Sequence, residues 1–228
     1  MRRFNAQQIV NAYKRKGYEL DERPFAMNIF GVRSKNTQSG KFDYTLGYIY
    51  KNGSGAWEIW QAPATTDTGT YWLKNIWPGQ QGSAILAEGQ YKGAYQLGTH
   101  YSYRALVQTG GPVTIYRDYN RDAILDFNPG TKQSGYFGIN IHRANRVGIT
   151  EVIADHSAGC QVFKSVDDFN SFLAFAEKAA ARYGNRFTYT LFDERQAART
   201  ALGSALRVGA LFAASVWAFF SLRRKQSF

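Results

Sequence analysis

The central part of the chain, residues 25–153, alternates short strand-like segments with clusters of turn residues, and this pattern constrains the fold most strongly. The strand-like segments are rich in aromatic and β-branched residues, as at residues 42–50, 56–60 and 113–116. The turn clusters contain Gly, Pro, Asn and Ser, and they lie at residues 51–55, 78–82, 109–112 and 128–130. The Asn52-Gly53 pair is typical of a β-hairpin. The pattern predicts a mainly β fold rather than a helical bundle.

Helical patterns flank this β region on both sides. Asn5 can cap a helix over residues 5–16, in which apolar residues recur at helical spacing. Ser165 and the acids that follow it predict the start of another helix, which should end near Gly184. We expect a short strand at residues 187–192 and a further helix after it.

An uncharged run occupies residues 208–222, with Arg207 before it and basic residues at 223–225 after it. A membrane helix usually needs about 20 apolar residues, and residues 202–206 lengthen the run if Arg207 reaches the interface. We therefore predict a single C-terminal membrane helix, with a buried or interfacial helix as the alternative. The basic residues after the run favour a cytoplasmic C-terminal end, which would leave the β domain across the membrane.

The N-terminus carries charge without an apolar stretch behind it, which is not the pattern of a secretory signal peptide. We expect the protein to stay in the cell that makes it, or to leave by lysis or in a particle. The patterns together predict an N-terminal helix and lead-in, a β domain, a linker helix, a membrane helix and a basic tail, at residues 1–24, 25–192, 193–207, 208–222 and 223–228.

The formal net charge of +11 predicts attraction to polyanions such as nucleic acid, anionic lipid or a wall polymer. The chain has no zinc-finger spacing, no aromatic RNA-binding signature and no long basic block, so no nucleic-acid partner is expected. Its single cysteine, Cys160, excludes an intramolecular disulfide. A lone cysteine is commonly a small buried hydrophobe, and that structural role is the alternative to a chemical one.

Cys160 follows the small residues Ser157-Ala158-Gly159, and His142 ends an alternating apolar segment upstream. A catalytic thiol needs a base to take its proton, and it needs two donors for the developing oxyanion. Small residues leave backbone N–H groups unshielded, and Gly159 permits dihedrals that other residues avoid. The pattern indicates a nucleophile at Cys160 with His142 as its base.

These residues resemble the signature of the L,D-transpeptidases, which are cysteine enzymes of bacterial peptidoglycan. The family carries a histidine and then, after a similar spacing, Ser/Thr-His-Gly-Cys; here fourteen residues separate His142 from Ser157-Ala158-Gly159-Cys160. A second block, residues 65–73, resembles the family's T-P-x-G-x-Y/F segment, which leads into a core strand. The resemblance covers roughly residues 40–175. It implies an L,D-transpeptidase-like β-sandwich or open barrel with a few helices.

Three positions depart from the family pattern. Ala158 stands where the family has a histidine, and His156 lies two positions earlier. Val162 replaces the usual Asn or Arg, and Arg143 stands where Gly or Ser often follows the first histidine. The nucleophile and the base match the family, whereas the groups that recognise substrate differ, so a different donor or acceptor is expected.

The resemblance implies that Cys160 attacks a stem-peptide carbonyl on the acyl side of the diamino acid. His142 would take the thiol proton and return it to the leaving amine. The N–H groups of Gly159 and Cys160 would form the oxyanion hole, and Ser157 would hold the cysteine loop, with a plain loop role as its alternative. The thioester passes to an amine in a transpeptidase, or to water in an L,D-carboxypeptidase or endopeptidase. No metal or cofactor is required.

Arg143, His156 and His100 are the expected substrate-binding residues. A guanidinium can bind a substrate carboxylate, and the two histidines could line the cleft; a solvated or plain loop role is the alternative for each. Residues 118–126 alternate oxygen-bearing side chains like a calcium loop, but they lack its glycine and its final glutamate. We therefore expect a turn there.

The signal-free N-terminus and the apolar tail are compatible with a divergent phage enzyme of lysis or entry. Such an enzyme would sit in a host or virion membrane, with its catalytic domain facing the periplasm or cell wall. The non-enzymatic alternative is a membrane-anchored structural or wall-binding protein. Thiol reactivity separates them, since an activated cysteine should react well below its normal pKa of about 8.5.

Overall fold

The computed structural model describes residues 1–76, 78–194 and 197. Over these residues the chain forms eleven strands and three α-helices, so the predicted mainly β fold is confirmed. Eight strands close into a barrel, and the other three form a separate sheet.

The elements follow the turn clusters of the sequence. The helices are α1 (Ala6–Lys16), α2 (Thr70–Lys74) and α3 (Val166–Tyr183). The strands are β1 (Asn28–Arg33), β2 (Tyr44–Lys51), β3 (Trp57–Thr65), β4 (Ser83–Leu86), β5 (Gly89–His100), β6 (Tyr103–Val107), β7 (Val113–Asp118), β8 (Gln133–Gly135), β9 (Ile141–Arg143), β10 (Gln161–Phe163) and β11 (Phe187–Asp193).

The barrel order is β1-β11-β5-β6-β9-β10-β3-β2, and β2 closes it by pairing with β1. Ile29 of β1 also pairs in parallel with Tyr189 of β11, so neither side of β1 is an open edge. The expectation of a sandwich or an open barrel is therefore wrong in that respect. The separate sheet has the order β4-β7-β8. Leu86 and Ile115 on one of its faces belong to the barrel core, whereas Ile85 and Tyr116 pack in a separate cluster.

Two helices cover different surfaces of the barrel strands. Side chains of a strand alternate between its faces, and Ile29 belongs to the core that α3 joins with Phe169 and Phe172. Its neighbour Phe30 belongs to a second cluster, which α1 completes with Ile9. The strands of this wall are therefore buried on both faces.

Local sequence signals fix the ends of these helices. The Asn5 side chain accepts from the Gln8 N–H group while the Gln8 side chain accepts from that of Asn5, which forms a capping box before α1. Gly17 ends α1 in a left-handed conformation, with φ of 65°. The Ser165 side chain caps α3 by accepting from Asp168 N–H. The helix expected to begin at 193 is described only at residues 194 and 197.

The hairpin that Asn52-Gly53 indicated is confirmed, because β2 and β3 pair antiparallel on either side of a five-residue loop. The Asn52 side chain accepts from the N–H groups of Ser54 and Ala56 in this loop.

The second family-like block continues from β3 into the short helix α2 rather than into a core strand. Its backbone groups at Asp67 and Gly69 hydrogen-bond to Ser157 of the cysteine loop.

The predicted membrane helix at 208–222 and the basic tail at 223–228 lie outside the described residues, as does most of the predicted linker helix. Within the part of the chain that the structure describes, no helix combines the length and apolarity needed to cross a bilayer.

Candidate active site

Adjacent parallel strands bring the two predicted catalytic side chains to one place. His142 lies in β9 and pairs with Val162 of β10, and Cys160 immediately precedes β10. Both residues line a cavity of about 410 Å³. The three expected substrate-binding residues, Arg143, His156 and His100, line the same cavity.

Ser157 holds the cysteine loop in place. Its side chain is buried, and its Oγ accepts from the Gly159 N–H group at 3.2 Å. The same Oγ lies 2.9 Å from the carbonyl oxygens of Asp67 and Cys160, to either of which the hydroxyl can donate. The backbone adds a bond of 2.8 Å from Gly69 N–H to the Ser157 carbonyl. These bonds join the cysteine loop to the second family-like block, residues 65–73.

Gly159 has a backbone conformation and a packing environment that exclude a side chain. Its φ is 122°, which L residues rarely adopt. A Cβ atom there would lie 2.7 Å from the carbonyl oxygen of Ala84 and 2.9 Å from Cδ1 of Ile139. The glycine lets the loop approach β4 closely enough to present Cys160 to the cavity.

One of the two expected oxyanion donors is engaged within the cysteine loop, because the Gly159 N–H group donates to Ser157 Oγ. The N–H groups of Ala158 and Cys160 donate to no other described residue. They are therefore unengaged backbone donors on either side of Gly159.

A backbone carbonyl orients His142, a partner that no sequence pattern could have revealed. The Nδ1 atom of His142 lies 2.8 Å from the carbonyl oxygen of Arg143. Because a carbonyl only accepts, Nδ1 carries the proton and Nε2 keeps its lone pair. The Tyr103 hydroxyl lies 3.2 Å from the same Nδ1 and donates to the same carbonyl at 3.4 Å.

His100 lies face to face with His142, with ring centroids 4.2 Å apart and an angle of 25° between the planes. The side-chain oxygen of Asn140 accepts from Gln108 N–H, so the side-chain nitrogen of Asn140 faces His100 Nδ1 at 3.0 Å. Nδ1 of His100 must then be the acceptor, which places its proton on Nε2. The two stacked rings are therefore fixed in opposite tautomers.

Burial keeps both members of the proposed catalytic pair neutral. Burial, reinforced by the neighbouring His100, lowers the pKa of His142 to about 3. Burial raises the pKa of the Cys160 thiol to about 11, and the Asn140 N–H group offsets only part of that rise. Cys160 Sγ hydrogen-bonds to Asn140 N–H and to the Gly138 carbonyl, each at 3.4 Å. This resting thiol differs from the low-pKa thiol expected of an activated cysteine.

Arg143 and His156 occupy the wall of the cavity beside this pair. The Arg143 guanidinium lies over the ring of Tyr103, 4.4 Å from its centroid, and donates to the Arg146 carbonyl. Its Nε atom is buried without a hydrogen-bond partner among the described residues. His156 is partly exposed. The substrate-binding role of both residues stays a prediction.

Asn140 and Gln161 shape the site although sequence reasoning did not select them. The buried Gln161 amide donates to the carbonyls of Thr66 and Gly159 and accepts from the Tyr189 hydroxyl. Both residues are polar interruptions of otherwise apolar segments, Ile139-Asn140-Ile141 and Cys160-Gln161-Val162. A buried polar side chain needs partners, so these interruptions were the available signal.

A buried ion pair holds Asp67 of the second family-like block, residues 65–73, in place. Arg33 of β1 contacts Asp67 with an Nη2–Oδ1 distance of 2.6 Å, and both side chains are almost fully buried. The same guanidinium reaches Glu88 at 2.8 Å. Asp67 also offers its backbone carbonyl to Ser157, so this ion pair reaches the cysteine loop through one residue.

Within the described residues, no group of three or more His, Cys, Asp or Glu side chains is arranged to hold a metal ion. The calcium-like segment forms a turn, in which the Asn120 amide donates to the carboxylates of Asp122 and Asp126. The Asp118 carboxylate accepts from the Asp126 N–H group.

No protein-family model matches this chain, and neither a curated protein nor a solved structure is significantly similar to it. The geometry of the Cys160 cavity is therefore the main observation that bears on function.

Proposed function

We propose that this protein is a cysteine acyl-enzyme that processes peptidoglycan stem peptides in the manner of an L,D-transpeptidase. One observation carries the proposal: Cys160 and His142 line a single cavity, and the Arg143 carbonyl fixes His142 with the Nε2 lone pair available. A nucleophile, an oriented base and free backbone donors are the groups that acyl transfer needs.

The reaction begins when Cys160 Sγ attacks a stem-peptide carbonyl on the acyl side of the diamino acid. The thiol proton passes to His142 as the C–S bond forms, because the resting thiol and imidazole are both neutral. The N–H groups of Ala158 and Cys160 stabilise the tetrahedral oxyanion. His142 then returns the proton to the leaving amine, and a thioester remains on Cys160.

The shape of the cleft supports transfer to a second peptide. A further recess of about 210 Å³ also reaches Cys160, and the two cavities share Trp72, His100, Tyr101 and Ala158 as well. A donor peptide and an acceptor amine can therefore approach the thioester from different sides. Hydrolysis needs only water in place of that amine, so an L,D-carboxypeptidase or endopeptidase is the alternative outcome of the same chemistry.

One observation favours a non-catalytic wall-binding protein as the second candidate. The raised pKa of the Cys160 thiol, together with its hydrogen bonds to Asn140 and Gly138, resembles a structural cysteine more than an activated one. In that protein the cleft would hold a stem peptide without cleaving it.

Membrane attachment through residues 208–222, and an origin in a phage that lyses or enters its host, belong to the same proposal. They rest on the uncharged run between basic residues. Fractionation of producing cells tests them, and recovery of all the protein in the cytosol, without membrane or particle association, would contradict them.

The deciding experiment incubates the full-length protein with purified peptidoglycan fragments and identifies the products by mass spectrometry. Cys160→Ala is the matched control. New cross-linked or exchanged stems, absent from the control, would establish a transpeptidase, and shortened stems or cut bridges would establish a hydrolase. Unchanged fragments together with a Cys160 that resists alkylation would leave the binding protein.

A further inference from the structure

The smaller recess beside Cys160 is lined by one positively charged residue and by no acidic residue among those described. Its lining includes Gln80, Gly82, Phe137 and Arg117, the last from β7. Among the described residues, no Asp or Glu side chain lines it. The recess therefore contains a positive charge and no negative one.

Arg117 is held in a fixed position by neutral acceptors only. The residue is 8% exposed. Its Nε donates to the Gln133 side chain at 3.0 Å, and its Nη1 donates to the Gln80 side chain and to the Gly82 carbonyl. The guanidinium also lies 5.3 Å from the ring centroid of Phe137. These contacts fix the plane of the guanidinium without neutralising its charge.

The Nη2 group of Arg117 is the unused end of this guanidinium. It donates to none of the described residues. The Nη2 atom is not fully buried, and Arg117 lines the recess. A planar guanidinium with one free edge suits an oxygen anion such as a carboxylate.

Arg33 is a second buried arginine, and it provides a comparison for Arg117. Arg33 contacts two carboxylates, those of Asp67 and Glu88. A buried charge without an opposite charge is costly, and burial lowers the pKa of Arg117 in accordance with that cost. Arg117 therefore differs from Arg33 by lacking an anion that an external ligand can supply.

We propose that Arg117 forms a carboxylate-binding subsite, which holds a carboxylate of the acyl substrate in the recess next to Cys160. This inference rests on the proposed function for the identity of the substrate, a stem peptide with free carboxylates. Val162 stands where the L,D-transpeptidases usually have an Asn or Arg. Arg117 would supply a substrate-recognition group from β7, which is distant from Val162 in the sequence. The larger cavity, which Arg143 and Arg146 line, remains for the other peptide.

Two alkylating reagents that differ in one group test this subsite. Iodoacetate carries a carboxylate where iodoacetamide carries a neutral amide, and each transfers its methylene carbon to Cys160 Sγ with loss of iodide. We expect Arg117→Gln to lower the ratio of the iodoacetate rate to the iodoacetamide rate roughly tenfold, as the loss of one nearby charge in a partly buried site predicts.

One matched variant separates the subsite from the general charge of the protein. Arg182→Gln removes one positive charge from the end of α3, and Arg182 is exposed and lines neither cavity. It should leave the rate ratio within about twofold of the unsubstituted protein, because exposed charges are screened by salt. A ratio that falls equally in Arg117→Gln and Arg182→Gln would overturn the subsite.

The unsubstituted protein supplies a test that does not depend on the folding of Arg117→Gln. N-acetylglycine should slow the reaction of Cys160 with iodoacetamide, whereas N-acetylglycinamide, which lacks the carboxylate, should not. Equal protection by both compounds, or none by the acid, would contradict the proposal. A Cys160 that reacts with neither reagent would count against the acyl-enzyme, whereas a reactive Cys160 with an unchanged ratio would count against Arg117 alone.

Discussion

His100 stacks on His142 with 4.2 Å between ring centroids. A hydrogen bond from Asn140 fixes the His100 ring, and the Arg143 carbonyl fixes the His142 ring. Two imidazolium charges at this separation would repel each other strongly in a partly buried site. The stack therefore reinforces burial in keeping His142 in the neutral form that can accept a proton.

Replacing His100 tests this effect directly. His100→Phe keeps an aromatic ring over His142 but cannot carry charge, so the pKa of His142 should rise while staying below its usual value, because burial is the larger cause of its lowering. An NMR titration of the His142 ring measures the change. His156→Gln, which removes a weaker influence on the same ring, should raise that pKa less. An unchanged pKa in His100→Phe would mean that the stack has no electrostatic role.

The free energy of unfolding should fall as the pH falls from about 6.5 to about 3. Over this range the unfolded chain protonates His142 and the folded protein does not, so protons favour the unfolded state. One such group contributes a slope of at most about 1.4 kcal/mol per pH unit. Urea unfolding at several pH values measures the slope, which should be shallower in His142→Gln. Equal slopes in the two proteins would show that His142 titrates normally in the folded state.

Alkylation of Cys160 should accelerate as the pH rises from about 9 towards 11, without a plateau near neutral pH. The thiolate is the reactive species, and burial keeps the folded thiol protonated through the neutral range. Initial rates with iodoacetamide, followed by mass spectrometry, measure this profile. Cys160→Ala supplies the blank. A rate already maximal at pH 7 would establish a preformed thiolate and require His142 to be its charged partner.

Gly159→Ala should destabilise the cysteine loop and abolish any activity of the site. The substitution forces an L residue to a φ of 122° and places Cβ against the Ala84 carbonyl, and backbone strain of this kind costs about 1–3 kcal/mol before the clash is counted. Thermal unfolding measures the loss. Gly148→Ala is the matched control, because Gly148 also has positive φ but opens onto empty space. Equal losses in both variants would leave the close approach to β4 without energetic weight.

The sequence selected two residues, Cys160 and His142, that the structure brings into one cavity, because their signal is local: a histidine that ends an apolar segment, and small residues before Cys160. It could not predict the Arg143 carbonyl, since every residue carries one, nor the stacking of His100, which depends on the pairing of β5 with β6 and of β6 with β9. The sequence likewise contains no signal for a binding role of Arg117. A single arginine in a strand has no distinctive pattern, and only the fold shows that its neighbours are neutral.

Barrel closure was similarly beyond the sequence pattern, because strand periodicity identifies strands but not their partners. The aromatic and β-branched segments gave the right class of fold. Closure depends on β1 and β11, which lie near opposite ends of the described chain. The raised thiol pKa also follows from burial in three dimensions rather than from any residue adjacent to Cys160.

The parallel pairing of β1 with β11 has a consequence for the synthesis of this protein. A ribosome makes β1 early, but Ile29 cannot meet Tyr189 until almost all of the barrel sequence has emerged. Until then one side of β1 exposes unpaired backbone groups, which is the kind of edge that other chains can join. Contacts so distant along the chain also slow folding. The barrel therefore closes late, and a chain that ends before residue 187 keeps an unpaired edge on β1 that can pair with a strand of another chain.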